Sequence, residues 1–164
     1  PEMKSTGEVM GLGDSFDEAF AKAALAVGER LPAKGTAFMS VRDVDKPGAA
    51  KVARDLVDAG FKLVATTGTA KALKEAGIEV DRVNKVREGR PHIVDAIKNG
   101  QVQLIINTTE GRKAISDSAQ IRQSALQTKV TYTTTLAGGE AFCRAIKFGP
   151  ERTVRRLQDL HAGK

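Results

Sequence analysis

Threonines, an asparagine and two lysines stand where apolar segments of this chain end, and these residue types suit the binding of a small anion. The segment Ala65-Thr66-Thr67-Gly68-Thr69-Ala70 follows one apolar run and leads into a helical pattern. Its glycine permits close approach of an anion to backbone N–H groups, and the threonine hydroxyls add further donors. The alternative is that Thr69 only caps the helix and Gly68 only makes the turn. A Thr-x-Gly-Thr string by itself leaves both interpretations open.

A second segment rich in donors, Ile106-Asn107-Thr108-Thr109-Glu110-Gly111-Arg112, follows the most apolar run of the chain. Lys46 and Lys85 also come after apolar runs, in two other loops. Taken singly, each lysine is a surface charge and the asparagine is a turn residue. If all these residues lie at one edge of a sheet, they can converge on a phosphate monoester.

The elements that would position these residues alternate between strands and helices. Ser15 precedes an apolar stripe with helical spacing that fades at Gly28. Beyond it, short apolar runs predict strands at 37–41, 61–65, 78–83, 102–106 and 130–134. Amphipathic segments predict helices at 47–59, 70–75 and 91–99, a helix that contains 121–126, and a helix at 141–148. The alternation predicts an α/β fold, a doubly wound, mostly parallel sheet of about five strands with helices on both faces. In such folds ligands bind at the carboxyl ends of the strands.

The composition excludes several classes of protein. The 164 residues suffice for one ordinary domain, and no apolar run approaches the roughly 20 residues that span a bilayer. The net charge of +6 favours an anionic ligand, but 4% aromatic residues and no tryptophan leave few platforms for nucleic-acid bases. The first residues show no basic-then-apolar signal segment, so a cytoplasmic protein without membrane or nucleic-acid partners is expected.

Catalytic and metal-binding groups are sparse. One cysteine, Cys143, and two histidines, His92 and His161, predict neither a disulfide nor a metal site. Cys143 lies on an apolar helical face, which is typical of a buried, inert thiol. The carboxylates have no evident partners and are interpreted as surface residues or caps. The residues therefore favour binding over catalysis, with no catalytic group.

Six strings in a fixed order resemble one known family. They are Ser40-Val41-Arg42, Ala65-Thr66-Thr67-Gly68-Thr69-Ala70, Val83-Asn84-Lys85-Val86, Glu88-Gly89-Arg90-Pro91-His92-Ile93, the 106–112 segment, and Asp117-Ser118 followed by Ile121-Arg122. This order resembles the C-terminal regulatory domain of carbamoyl-phosphate synthase large chains, which has a methylglyoxal-synthase-like fold. Residues 1–13 resemble the end of the preceding ATP-grasp domain, so 14–35 are expected to be an entry helix and linker, and 36–164 the regulatory domain. A first residue other than methionine agrees with a piece of a longer protein.

The resemblance implies an allosteric domain, non-catalytic in isolation, of a glutamine-hydrolysing synthase of pyrimidine and arginine biosynthesis. It implies a nucleoside monophosphate effector, with uridine monophosphate as inhibitor and inosine monophosphate in an overlapping site. Lys85, Thr66 and Thr69 would hold the phosphate, with Asn107 and Thr109 nearer the sugar and base. The full set of matching positions is Lys46, Thr66, Gly68, Thr69, Lys85, Asn107, Thr108, Thr109 and Ser118.

The resemblance also implies partners and a second effector. The partners are the rest of the large chain and its glutamine amidotransferase small chain. ATP, magnesium and potassium would belong to the synthetase domains, and no cofactor is expected in this fragment. Some family members bind ornithine through an Asp-Thr pair after the last strand, where this chain has Thr133-Thr134. Thr134 stays a candidate ligand, but the missing carboxylate argues against activation by ornithine.

The main alternative is a methylglyoxal-synthase-type lyase acting on a triose phosphate. Its chemistry needs a carboxylate base in the loop after the third strand. Arg90 stands about where that base should be, and Glu88 could replace it only if the loop shifted. The cyclohydrolase domain of purine biosynthesis shares the fold, but the 107–109 segment fits it poorly. A nucleic-acid module would show binding that weakens steeply with salt for any sequence.

Overall fold

The structure is a computed structural model that describes residues 7–108, 112–149, 154, 156, 158 and 159, with only the backbone of 112–117. Five strands form one sheet in the order β3-β2-β1-β4-β5, and every pair is parallel. The strands are β1 (Gly35–Ser40), β2 (Phe61–Ala65), β3 (Asp81–Arg82), β4 (Leu104–Asn107) and β5 (Thr131–Thr133). The predicted α/β fold with a parallel sheet of about five strands is confirmed.

Helices flank the sheet on both faces. They are α1 (Phe16–Ala26), α2 (Lys46–Asp58), α3 (Thr67–Glu75), α4 (Ile93–Lys98), α5 (Arg112–Thr128) and α6 (Leu136–Phe148). Two short 3-10 turns, Asp43–Asp45 and Val86–Glu88, follow β1 and β3. Within the described residues, no helix combines the length and the apolar character needed to cross a membrane.

The two central strands, β1 and β4, separate two hydrophobic cores because successive side chains of a strand point to opposite faces. Met39 and Ile106 belong to the core that α2, α3 and α6 cover. Phe38 and Ile105 belong to the core that α4 and α5 cover. All four side chains are buried, so the middle of the sheet holds the loops after β1 and β4 in fixed positions.

Helix α1 packs on α6 outside this sandwich. Phe20 meets Phe142 edge-on with ring centroids 5.8 Å apart, and Phe16 stacks on Phe20 at 5.5 Å. The Arg144 guanidinium lies 4.8 Å from the Phe16 ring centroid and pairs with Asp17 at 2.5 Å. The predicted entry helix is therefore anchored to α6 by aromatic, cation–π and ionic contacts.

Two predicted elements differ from the structure. The strand expected over 78–83 forms a ladder only at Asp81–Arg82, because it lies at the sheet edge beside β2 alone. The last helix begins at Leu136 rather than near 141, and Thr135 caps it by accepting a hydrogen bond from Gly138 N at 3.0 Å. The two glycines that follow obscure this start in the sequence, since glycine disfavours helix interiors.

The single cysteine of the sequence lies where it was predicted. Cys143 is buried on the inner face of α6. Burial raises the pKa of its thiol to about 12, so the thiolate is scarcely populated at neutral pH.

Candidate functional site

The carboxyl ends of the parallel strands meet at one edge of the sheet, where the strand order reverses. From β1 the chain runs through α2 to β2 on one side, whereas β4 lies on the other side of β1. Ser40 at the end of β1 is in register with Asn107 at the end of β4. Ligands of doubly wound folds bind at this reversal. We call the space bordered by the ends of β2, β1 and β4 the crevice.

Buried hydroxyls join β1 to the start of α3. Thr66 is the N-cap residue of α3, and its hydroxyl lies 3.2 Å from Ser40 Oγ and 3.4 Å from Thr69 Oγ1. Thr69 Oγ1 in turn accepts a hydrogen bond from Val41 N at 3.0 Å. Thr66 is 4% and Thr69 is 1% exposed. Thr69 therefore fixes the position of α3 against β1, and Thr66 lies nearer the crevice.

The N-terminus of α3 and Lys46 together offer positive potential. The first bond of α3 runs from Ala70 N to Thr66 O at 2.8 Å, so the N–H groups of 67–69 precede the intrahelical ladder. Such N–H groups, with the helix dipole, favour an anion. A Cβ placed on Gly68 would lie 3.5 Å from Lys46 Nζ. The ammonium at the start of α2 thus lies close to the first turn of α3.

Asn107 contributes a buried amide on the other side of β1. The residue is 3% exposed. Its Nδ2 is fully buried and has no hydrogen-bond partner among the described residues. A buried donor without an acceptor costs about 1–3 kcal/mol. A ligand acceptor placed here would remove that cost.

Thr108 is engaged within the protein. Its Oγ1 accepts a hydrogen bond from Arg42 N at 3.1 Å, which ties β4 to the loop after β1. The Arg42 Nε donates to Asp45 Oδ2 at 2.7 Å. Hydrogen bonds from Arg42, and then from Thr108, hold the pKa of Asp45 below its usual value. Thr108 therefore positions the crevice wall.

The two lysines that were predicted to meet an anion share a charged neighbour. Lys46 Nζ lies 2.6 Å from Asp43 Oδ1. The hydrogen bond and charge of Lys46, and more weakly the charge of Lys85, lower the pKa of Asp43. Lys85 is exposed and precedes the Val86–Glu88 turn. The start of α2 and the loop after β3 thus bring two ammonium groups to the same edge as the threonines.

Most of the predicted site residues lie together, and three do not join them in the described structure. The residues at the crevice are Lys46, Thr66, Gly68, Thr69, Lys85, Asn107 and Thr108. Thr109 lies outside the described residues. Ser118 is buried in the second turn of α5, and no hydrogen bond between described residues links it to the crevice. Thr134 is exposed between β5 and α6, at the outer strand.

Sequence reasoning missed the contribution of the β1 end. Ser40 Oγ contacts the Thr66 hydroxyl, and the backbone N–H groups of Val41 and Arg42 use Thr69 and Thr108 as acceptors. The signal was available in part, since 40–42 stand at the end of the first predicted strand and form the first of the six strings, although no role was assigned to them. Only the strand order shows that this strand lies between the two threonine segments.

Replacing Thr69 with valine should lower the free energy of unfolding by about 1–3 kcal/mol, because the buried Val41 N–H loses its acceptor. Thr69→Ser is the matched control, since it keeps the hydroxyl and loses one methyl group, worth about 0.8 kcal/mol. Urea unfolding measures both changes. Amide hydrogen exchange at Val41 should accelerate in the valine variant alone, and equal protection in both variants would contradict the assigned contact.

The fold and the crevice define a class of protein: a doubly wound α/β domain with hydroxyl, amide and ammonium groups at its strand-reversal point. A family model described as the MGS-like domain matches residues 48–134, more than half of the chain. The chain belongs to the MGS-like domain family.

Curated relatives match nearly the whole chain, and not only residues 48–134. The carbamoyl phosphate synthase large chain of Pseudomonas putida is 69% identical over 163 residues, which is 99% of this chain and 15% of that protein. The corresponding proteins of Pseudomonas aeruginosa and Halomonas eurihalina are 68% and 61% identical, with the same coverage. This chain therefore spans about 15% of the length of the relatives it matches. The solved structure of ForH superposes with a TM-score of 0.40 at 18% identity, covering 69% of this chain and 77% of its own, which carries no argument.

Proposed function

We propose that this chain is the regulatory domain of a cytoplasmic carbamoyl phosphate synthase large chain, and that its crevice binds a nucleoside monophosphate. The similarity to large chains over 99% of the sequence supports the first part. The observation that carries the second part is the buried Asn107 Nδ2, which has no hydrogen-bond partner among the described residues and lies across β1 from the Thr66–Thr69 turn. A buried donor without an acceptor calls for an explanation, and a ligand that accepts its hydrogen bond supplies one.

The crevice suits the two ends of a mononucleotide. Thr66 and the N-terminus of α3 would hold the phosphate, with Lys46 and Lys85 supplying charge-assisted contacts. Asn107 would face the sugar or base from the far side of β1. Uridine monophosphate and inosine monophosphate are the ligands to test first. Bound to one of two conformations, such an effector shifts the activity of distant sites by an amount typically worth 1–3 kcal/mol.

The carboxylates after β3 favour binding over lyase chemistry. Glu88 accepts a hydrogen bond from Lys85 N at 3.0 Å and closes the 3-10 turn. Asp95 accepts from His92 N at 3.1 Å at the start of α4, and Arg90 lies 3.7 Å from the same carboxylate. Both carboxylates are used as caps, which leaves neither positioned as a general base.

The whole enzyme follows from the same proposal. The rest of the large chain would carry the ATP-dependent synthesis, with its ATP, magnesium and potassium, and a glutamine amidotransferase small chain would supply ammonia. The product serves pyrimidine and arginine biosynthesis. This domain would then act as the sensor that couples nucleotide level to synthesis.

Calorimetric titration with uridine monophosphate in phosphate-free buffer tests the proposal. We expect saturable binding at one site, weakened about five- to tenfold in Lys85→Ala, because an exposed charged contact is worth roughly 1 kcal/mol. Lys98→Ala is the matched control, since this exposed lysine ends α4 and lies at the opposite edge of the sheet.

Two results would contradict the proposal. One is the absence of heat with both uridine and inosine monophosphate. The other is equal weakening in Lys98→Ala, which would indicate a general effect of net charge. Turnover of a triose phosphate by the domain would favour the lyase instead.

A further inference from the structure

The Asp43 carboxylate forms an ion pair with Lys46, one of the two lysines that are proposed to contact the ligand phosphate. It opens the 3-10 turn after β1, and its Oδ1 lies 2.6 Å from Lys46 Nζ. The Asp43 side chain is 92% exposed, whereas that of Lys46 is 29% exposed. The carboxylate thus lies on the solvent side of the ammonium, at the mouth of the crevice.

The same ammonium lies close to the anion-binding end of α3. Lys46 Nζ would be 3.5 Å from a Cβ on Gly68, in the first turn of that helix. The charge of Lys85 also acts on Asp43. Asp43 is therefore the counter-ion of Lys46, and the charge of Lys85 acts on it more weakly.

A ligand phosphate and the Asp43 carboxylate cannot both form their strongest contact with the Lys46 ammonium. Two like charges about 4 Å apart repel by about 1 kcal/mol even in bulk water. The phosphate of a mononucleotide carries nearly two negative charges near neutral pH. Either the carboxylate moves away when the anion enters, or the anion binds less tightly than the donors alone would allow.

We propose that Asp43 is an internal competitor of the effector phosphate: it occupies the Lys46 ammonium in the empty crevice and is displaced when the phosphate binds. This inference rests on the proposed function and concerns how that site is tuned. Displacement would free the Asp43–Asp45 turn at one end. The other end of that turn, Asp45, holds Arg42 at 2.7 Å, and the Arg42 N–H bonds to Thr108. The turn that carries Asp43 is thus connected through Asp45 and Arg42 to the junction of β1 and β4.

The Asp43→Asn variant tests the competition. We expect it to bind uridine monophosphate about two- to fivefold more tightly than the unmodified chain, because an exposed ion pair is modest in strength. Asp58→Asn is the matched control: it makes the same change in net charge at the far end of α2, about 18 Å away along the helix. Uridine, which lacks the phosphate, should bind both variants and the unmodified chain equally.

The outcomes separate this inference from the proposed function. Tighter binding of uridine monophosphate in Asp43→Asn but not in Asp58→Asn supports the competition. Equal or weaker binding in Asp43→Asn overturns it and leaves the proposed function standing. If uridine monophosphate fails but inorganic phosphate binds more tightly to Asp43→Asn, the competition holds and the nucleotide proposal fails. No binding of either ligand to any variant overturns both.

Discussion

Replacing Ile106 with alanine should lower the free energy of unfolding by about 2–5 kcal/mol, one of the largest effects expected from a single substitution in this chain. Ile106 is fully buried in β4 and belongs to the core beneath α2 and α6. The truncation would leave a cavity between elements that the parallel sheet holds in place, so little collapse is expected. Urea or thermal unfolding measures the change, with Ile106→Val as the conservative control at about 0.5–1.5 kcal/mol.

Gly139 supplies a sharper test of the same packing. A Cβ at Gly139 on α6 would lie 2.9 Å from Ile106 Cδ1 and 3.4 Å from a Val52 methyl group. Ile106→Val removes that Cδ1 atom, so Gly139→Ala should destabilise the unmodified chain and be tolerated, or stabilising, in the Ile106→Val background. The alanine also gains helix propensity worth about 0.5–1 kcal/mol. A double-mutant cycle without coupling energy would show that the two residues do not share this contact.

The alternation of apolar runs and helical patterns was enough to predict the fold, because strands buried on both faces read as continuous apolar segments. Leu104, Ile105 and Ile106 are the clearest case. The length of the edge strand β3 was overestimated, since Ile78 and Val80 are buried in the core but do not pair with β2. The start of α6 was missed because capping by Thr135 is a local event and two glycines follow it closely.

The candidate site could be located from the sequence but not resolved into roles. Residue type and position after a strand identify Thr66, Thr69, Asn107 and Thr108 equally well. Their roles differ because of partners that lie far away in sequence. Thr69 and Thr108 accept hydrogen bonds from the backbone after β1, whereas the Asn107 amide has no described partner. The order of the strands in the sheet decides these contacts, and the spacing of apolar residues in the sequence does not reveal that order.

Asn107→Ala should weaken the binding of uridine monophosphate about 10- to 100-fold while leaving the stability of the ligand-free domain within about 1 kcal/mol. Affinity is lost because the Asn107 amide, which lacks an acceptor in the free domain, would form a hydrogen bond to the bound ligand. That hydrogen bond is worth about 1–3 kcal/mol. The free energy of unfolding of the ligand-free domain should change little. The truncation removes packing contacts, but it also removes the cost of a buried donor that has no partner among the described residues. Calorimetric titration and urea unfolding of the same preparation measure the two quantities.

Asn99→Ala is the matched control, because Asn99 is exposed at the end of α4, away from the crevice. It should change neither affinity nor stability appreciably. A large loss of stability in ligand-free Asn107→Ala would show that the amide has a partner within the protein, which would remove the main support for a ligand at this position. Unchanged affinity with unchanged stability would place the ligand elsewhere along the edge. Only a loss of affinity without a loss of stability shows that the buried amide serves ligand binding. Such a result is expected where a residue is kept for function although it lowers stability.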